Sequence, residues 1–229
     1  MSSTLERAEE QENEQDQEGP RWRRRSDARP GEILQAALDV FGDRGFTAAR
    51  MEEIARRAGV TKGTVYLYFP SKDDLFRAMV HETIVPAVES GERLVAGFEG
   101  SAADLIRALV TAWWERHGNT PQACLAKLVA AEAINFPALA RFYMDEVILR
   151  SRALFESAIR RGIERGEFRE VPVTDTARLA VAPLVHAASY SRSLLQYDTH
   201  PMELREYVRL HTEIFLRGIA RDPETVRDA

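Results

Sequence analysis

The chain has 229 residues, 45% of them hydrophobic and 29% charged, with a formal net charge of −5. That apolar content supports one or two compact domains and excludes disorder throughout. A single cysteine, Cys124, excludes an internal disulfide framework and a multi-cysteine metal site; the absence of a long apolar run excludes a spanning helix, and the acidic, polar start argues against a secretory leader, so a cytoplasmic location is expected.

Residues 1–18 carry seven acids against Arg7, a local balance of −6, whereas residues 21–29 carry Arg21, Arg23, Arg24, Arg25 and Arg29 against Asp27, a balance of +4. Residues 1–28 therefore read as a disordered acidic tail and a basic run, which is either a solvated linker or an arm beside a nucleic-acid site. Helical spacing begins at Pro30: Ile33, Leu34, Ala37, Leu38, Val40 and Phe41 recur at three- and four-residue steps, and Gly45 is placed to end the helix. A second helix is expected from about Arg50 to Ala58, with Ile54 and Ala55 inward and Gly59 in a left-handed turn. A third follows Val60, capped by Thr61 and ended by Pro70.

Two helices crossing near a right angle need a small residue at the contact, a glycine in the tight turn and an apolar plug. Ala55, Gly59 and Val65 supply them in register. Val65 and Phe69 then point inward, while Lys62, Gly63 and Tyr66 share the outer face. A glycine on an exposed helix face costs ~1 kcal/mol relative to alanine, which close approach to a DNA backbone would explain. The same spacing also fits a helical corner in any α protein.

Ser71 caps a fourth helix with Asp73 and Asp74 in its first turn, and Leu75, Phe76, Met79 and Val80 form its buried stripe. It is expected to run past Pro86, which kinks it, toward Phe98. Five more helices are expected over 102–117, 121–134, 137–164, 174–197 with a bend at Pro183, and 201–220. Leu179, Ala182, Val185, His186 and Ser189 form one stripe, and Leu204, Tyr207, Val208, His211, Ile214 and Phe215 another. These stripes are either intramolecular core or halves of a four-helix bundle across a two-fold axis.

Trp113, Trp114, His117, Phe136, Tyr143, Met144, His186 and Tyr190 place aromatic and polar groups on otherwise apolar helices. They describe either ordinary core or the wall of a small-molecule cavity, with Cys124 and Glu132 as further candidates. The mixture suits a hydrophobic or aromatic ligand with one hydrogen-bonding group. No phosphate-cradling glycine loop, HExxH or GxSxG is present, and the five histidines are scattered, so neither an enzyme, a cofactor nor a metal is expected.

The stretch MEEIARRAGVTKGTVYLYFPSKDDLF at residues 51–76 resembles the TetR family of one-component transcriptional regulators, through its IAxxAGV turn, TKGTVY helix, YFP stop and SKDDLF restart. The resemblance is strong over 29–80 and architectural beyond. One departure is Ala49, where the family usually has a Ser or Thr cap; Thr47 as cap, or Arg50 against a phosphate, are the alternatives. The resemblance implies an all-α fold: a three-helix DNA-binding domain with a helix-turn-helix over 29–76, a helical ligand-binding and dimerisation domain over 77–221, and a flexible tail over 222–229. It implies DNA contacts from Thr61, Lys62, Gly63, Thr64, Tyr66 and Tyr68, with Arg50 and Lys72 reaching phosphates. The spacing of Tyr68 also allows burial against the first helix. Arg23, Arg24 and Arg25 would reach the minor groove or the backbone. The implied partners are palindromic operator DNA, a second copy joined through the last two long helices, and a small hydrophobic or aromatic effector that releases a repressor. The alternative is an effector-independent regulator or an activator.

Overall fold

The computed structural model describes residues 21–118 and 120–221, with side chains from residue 29 onward. The acidic tail over 1–20, the side chains of Arg23, Arg24 and Arg25, Asn119 and the tail over 222–229 lie outside the described residues. The helices are α1 (Arg21–Ala48), α2 (Met51–Arg57), α3 (Lys62–Tyr68), α4 (Lys72–Thr83), α5 (Val85–Gly97), α6 (Ala102–Trp113), α7 (Cys124–Glu132), α8 (Pro137–Tyr143), α9 (Arg150–Glu164), α10 (Val173–Ser191) and α11 (Leu204–Ile219). Among the described residues there is no β-strand, only one isolated bridge between Phe168 and Ala220.

Several boundaries differ from the sequence expectation. The backbone of α1 is already helical at Arg21 and runs through Pro30, in keeping with the high helix propensity of the arginine-rich stretch. Gly45, at φ 75°, breaks α1 before its final turn. Pro86 cannot donate to Glu82, and the long fourth helix accordingly divides at Ile84 into α4 and α5. The segment expected as one helix over 137–164 contains a π turn at Met144–Leu149, and α6 ends in another at Trp114–Gly118. The helix expected to reach residue 197 stops at Ser191, followed by a 3₁₀ turn at Leu195–Tyr197.

Two apolar cores form. The first gathers α1 to α5 with Leu125, Leu128 and Val129 of α7, Leu139 and Tyr143 of α8, and Val147. The second gathers α6, α9, α10 and α11 around Leu105, Ile106, Phe155, Ile159, Leu184 and Leu216. A boundary at residue 76 or 77 therefore does not separate the cores. The apolar stripe of α1 is too wide for α2 to α4 to cover alone, and α7 completes its burial.

The α2–α3 corner is closed by its own backbone. Gly59, at φ 65°, donates to the Arg56 carbonyl at 3.2 Å, and Val60 donates to the Ala55 carbonyl at 3.0 Å. These two bonds satisfy two of the carbonyls left over at the end of α2. Ala55 and Val65 are buried, and the Thr61 hydroxyl accepts the Thr64 amide at 3.1 Å to start α3. Ala55→Leu should overpack this crossing by ~1–3 kcal/mol, lowering the thermal midpoint followed by circular dichroism. An unchanged midpoint would show that Ala55 is not at the contact.

Candidate nucleic-acid interface and internal cavity

Thr61, Lys62, Gly63 and Tyr66 of the α3 region are exposed. Leu67, 79% exposed, belongs with them and was missed from the sequence, although it lies one helical turn beyond Gly63. The Lys62 ammonium is paired with the Glu52 carboxylate and sits 5.6 Å from the Tyr66 ring centroid. Each partner stabilises the other's charge, so Glu52 titrates below its ordinary value and Lys62 above. Both side chains are more than half exposed, a setting in which an ion pair is weak and can be exchanged for a phosphate. Arg50 is exposed at the start of α2, with no capping hydrogen bond from its side chain. Thr64 is half-buried, its hydroxyl 2.9 Å from that of Thr61.

Two of the expected DNA-contacting residues are placed differently. Tyr68 is half-buried and packs against the first core, the arrangement its spacing also allowed. Lys72 points at the protein's own backbone: Nζ donates to the carbonyls of Phe46 at 2.5 Å, Ala49 at 3.1 Å and Thr47 at 3.3 Å, and lies 4.6 Å from the Phe46 ring. Carbonyls at a helix C-terminus carry partial negative charge, which explains the attraction. Partial burial there lowers the Lys72 pKa.

The Thr47 side chain does not cap α2. Its amide donates to Glu132 Oε1 at 3.0 Å and its hydroxyl to Oε2 at 2.8 Å, and these bonds hold the Glu132 carboxyl below the usual range. Glu132 is thus not a cavity residue but a tie from α7 to the α1–α2 turn. Phe136 likewise leaves the expected cavity set: its ring meets that of Phe46 edge-on at 4.8 Å. Ala49 is buried, where a Ser or Thr hydroxyl would lose solvent.

Where the two cores meet, a cavity of about 300 Å³ opens, walled by Val88 and Leu94 of α5, Leu109 of α6, and Val147 and Phe155. Of the eight expected lining residues, Trp113, His117 and Tyr143 are in the wall. Trp114, the next residue round the helix, is buried toward α11 instead. Met144 and His186 are exposed, and Tyr190, half-buried, donates its hydroxyl to Asp198. Cys124 borders a separate groove with Asp39, Arg57 and Arg192, and burial raises its thiol pKa. Sequence reasoning missed Ser90, Arg116, Gln122 and Ser151, which arrive at the wall from four elements with no common spacing.

The two π turns flank this cavity, one bringing Arg116 and His117 to the wall and the other Val147. Such turns occur frequently at functional sites. His117 is 8% exposed, stands edge-on to Trp113 at 5.8 Å, and its Nδ1 has no hydrogen-bond partner. Burial, reinforced by the charge of Arg116, pushes its pKa down to about 4, so the ring is neutral near pH 7. Burial pushes the Tyr143 phenol up and keeps it protonated. Among the described residues no cluster of three or more His, Cys, Asp or Glu could hold a metal ion, and no helix is long and apolar enough to cross a membrane.

Comparison with known proteins matches residues 33–79 to the family model of bacterial regulatory proteins, tetR family, and residues 99–199 to the tetracyclin repressor-like C-terminal domain. The HTH-type transcriptional activator FasR of Mycolicibacterium smegmatis is 40% identical over 89 residues, which span 39% of this chain and only 40% of that protein. The HTH-type regulator YfiR of Bacillus subtilis is 25% identical over 216 residues, 84% of this chain and 94% of its own length. The crystal structure of the regulator FadR from Bacillus subtilis, in complex with stearoyl-CoA, aligns with a TM-score of 0.66 at 19% identity, covering 82% of this chain and 98% of that one. At that identity the likeness concerns the fold alone.

Lys72→Ala should leave three backbone carbonyls without their cationic cap and lower unfolding free energy by ~1–3 kcal/mol in urea melts; an unaltered melt would mean that water replaces the ammonium at no cost. His117 gives a pH signature. Its unfolded-state value near 6.5 lies above the folded value of about 4, so the unfolded chain takes up the proton first. This contribution is flat above pH 6.5, destabilises progressively from 6.5 down to about 4, and is flat again below. His117→Phe should flatten that part of the stability profile, and an identical acid limb in the variant would count against burial of a neutral ring.

Proposed function

The chain belongs to the TetR family of bacterial regulators, and on that premise we propose that it is a homodimeric repressor that sets α3 of each protomer into successive major grooves of a palindromic operator and lets go when a small hydrophobic effector fills the cavity. One observation carries the reading. Ile84, Ala87, Val88 and Gly91 form part of the cavity wall, and α5, which bears most of them, joins through Ile84 to α4. Leu75, Phe76, Met79 and Val80 of α4 are buried in the same core as the helix-turn-helix. An occupant of the cavity would thus touch α5, which joins the helix packed against the helix-turn-helix. Occupancy that favours one α4–α5 arrangement shifts the population of DNA-competent dimers.

Dimerisation is supported by the exposed positions of the expected stripes, three of five on α10 and one of six on α11. Leu179 is 66% exposed and Ile214 63%, with Ala182, His186 and Leu210 exposed beside them on α10 and α11. The remaining stripe residues turn inward: Val208 is buried, and Leu204, Tyr207 and Phe215 pack on the second core. A second copy related by a two-fold axis would cover these exposed positions. The DNA surface comprises Arg50, Thr61, Lys62, Gly63, Thr64, Tyr66 and Leu67, with Lys72 acting indirectly through the α1–α2 turn. The effector is hydrophobic with at least one polar group, and the stearoyl-CoA bound to FadR is a precedent for an apolar chain in this fold. A location in the cytoplasm follows from the DNA target. The match to an activator, FasR, supports a second reading in which the bound dimer raises transcription; deletion of the gene distinguishes them, since loss of a repressor raises target transcript and loss of an activator lowers it.

In a mobility-shift assay on the gene's own upstream region, Lys62→Ala and Tyr66→Ala should each weaken binding by ~1–3 kcal/mol while dimer mass and melting temperature stay unchanged, because both side chains lie outside the core. A comparable loss of melting temperature would reassign them to packing. Wild-type protein that binds this DNA equally well with and without a panel of hydrophobic compounds would sink the effector mechanism.

A further inference from the structure

We infer that the cavity selects amphiphiles with one anionic head, in the simplest case a carboxylate, and rejects cationic ones, with Arg116 at its rim as the residue that decides the sign of charge. This rests on the reading of the cavity as the effector site and deepens it. The wall contains no Asp and no Glu, and Arg116 is its one permanently charged side chain among the described residues. Arg116 is exposed and makes no ion pair with any described residue. Arg107 pairs with Asp104, Arg150 with Glu92, Arg152 with Glu156 and Arg178 with Asp175, whereas Arg93 and Arg141, like Arg116, form no ion pair among the described residues. What sets Arg116 apart is its place, since it puts an unneutralised guanidinium at the edge of an apolar void whose wall holds no carboxylate.

The neighbouring groups reinforce the choice. His117 follows Arg116 in the same π turn, is nine-tenths buried, and carries a nitrogen without a partner. Buried polar atoms are ordinarily satisfied, and a ligand head placed beside this ring would supply the polar neighbour it lacks. The ring is neutral, and the hydroxyls of Ser90, Tyr143 and Ser151 with the Gln122 amide add neutral hydrogen-bonding groups to the wall. A cation entering here would find no carboxylate. Trp113, Tyr143 and Phe155 could offer ring faces to it, but the fixed like charge of Arg116 opposes that attraction. An anion finds a charge-assisted donor instead. Because Arg116 is solvent-exposed, the head keeps part of its hydration and avoids the large desolvation cost of a fully buried ion. The apolar tail then lies along Val88, Leu109, Val147 and Phe155, in a volume at the small end of ligand sites.

Three probes with one tail and different heads test this: dodecanoate, dodecanol and dodecyltrimethylammonium, titrated calorimetrically below their micellar concentrations into the full-length protein. Wild type should bind dodecanoate about tenfold more tightly than dodecanol, and the ammonium most weakly. Arg116→Ala should lose the preference for the carboxylate while keeping its affinity for dodecanol, and Arg116→Glu should favour the ammonium. Matching thermal melts would confirm that the variants fold. Equal wild-type affinity for dodecanoate and dodecanol, or a carboxylate preference that survives Arg116→Ala, overturns the charge selection and leaves the cavity reading standing. Failure of all three probes to bind overturns both. Dodecanoate that binds with the expected preference but leaves the operator complex intact upholds the charge selection and counts instead against release as the mode of regulation.

Discussion

The turn between α1 and α2 is gripped from two directions, and the placement of the recognition surface depends on that grip. From within the DNA-binding module, Lys72 brings its ammonium to the carbonyls of Phe46, Thr47 and Ala49. From α7, Glu132 accepts both the amide and the hydroxyl of Thr47. Charge-assisted hydrogen bonds of this kind are stronger and more directional than neutral ones. Since α2 starts immediately after the turn and α3 is locked to α2 through Ala55, Gly59 and Val65, the outward face of α3 inherits whatever orientation the turn adopts. The Phe136 ring on Phe46 adds an apolar contact to the same joint.

This joint and the cavity share their supporting helices. α7 carries Ala126 in the cavity wall and Glu132 at its far end; α5 carries Val88 and Gly91 in the wall and leads into α4. Packed interiors have low compressibility, so on the proposed mechanism an occupant of the void would act on these rods. The seam between the two cores thus places the void between elements that both end on the DNA-binding module. At Gly91, α5 and α9 come close: a Cβ there would stand 2.5 Å from a terminal methyl of Leu154, which would have to turn aside.

What the sequence revealed and what it hid divide by the range of the interactions. The α2–α3 corner was legible because Ala55, Gly59 and Val65 act within one supersecondary unit whose steric demands repeat in any such crossing. The caps at Thr61 and Ser71 were legible for the same reason, each hydroxyl accepting an amide three residues on. The bonds of Lys72 were hidden, because nothing local to α4 points to three carbonyls more than twenty residues earlier. Glu132 finds Thr47 across 85 residues, and no local pattern signals that pairing. Trp113 and Trp114 look alike as neighbours, yet a helix sends them to different sides, and only the positions of α5 and α11 decide which one meets the void. The stripes on α10 and α11 were correctly seen as apolar, but they were wider than one interface, and tertiary packing divided each between the interior and the surface.

The pairing of Lys62 with Glu52 has a consequence for how the protein moves through a genome. A lysine already neutralised by its own carboxylate gives little electrostatic reward for touching an arbitrary duplex, and fewer condensed counterions are set free by such an encounter. A phosphate that reached Lys62 would displace one exposed carboxylate, an exchange of small energy at this exposure. On the proposed DNA surface, Lys62 would therefore add less to the salt-dependent attraction toward arbitrary sequence than an unpaired lysine does.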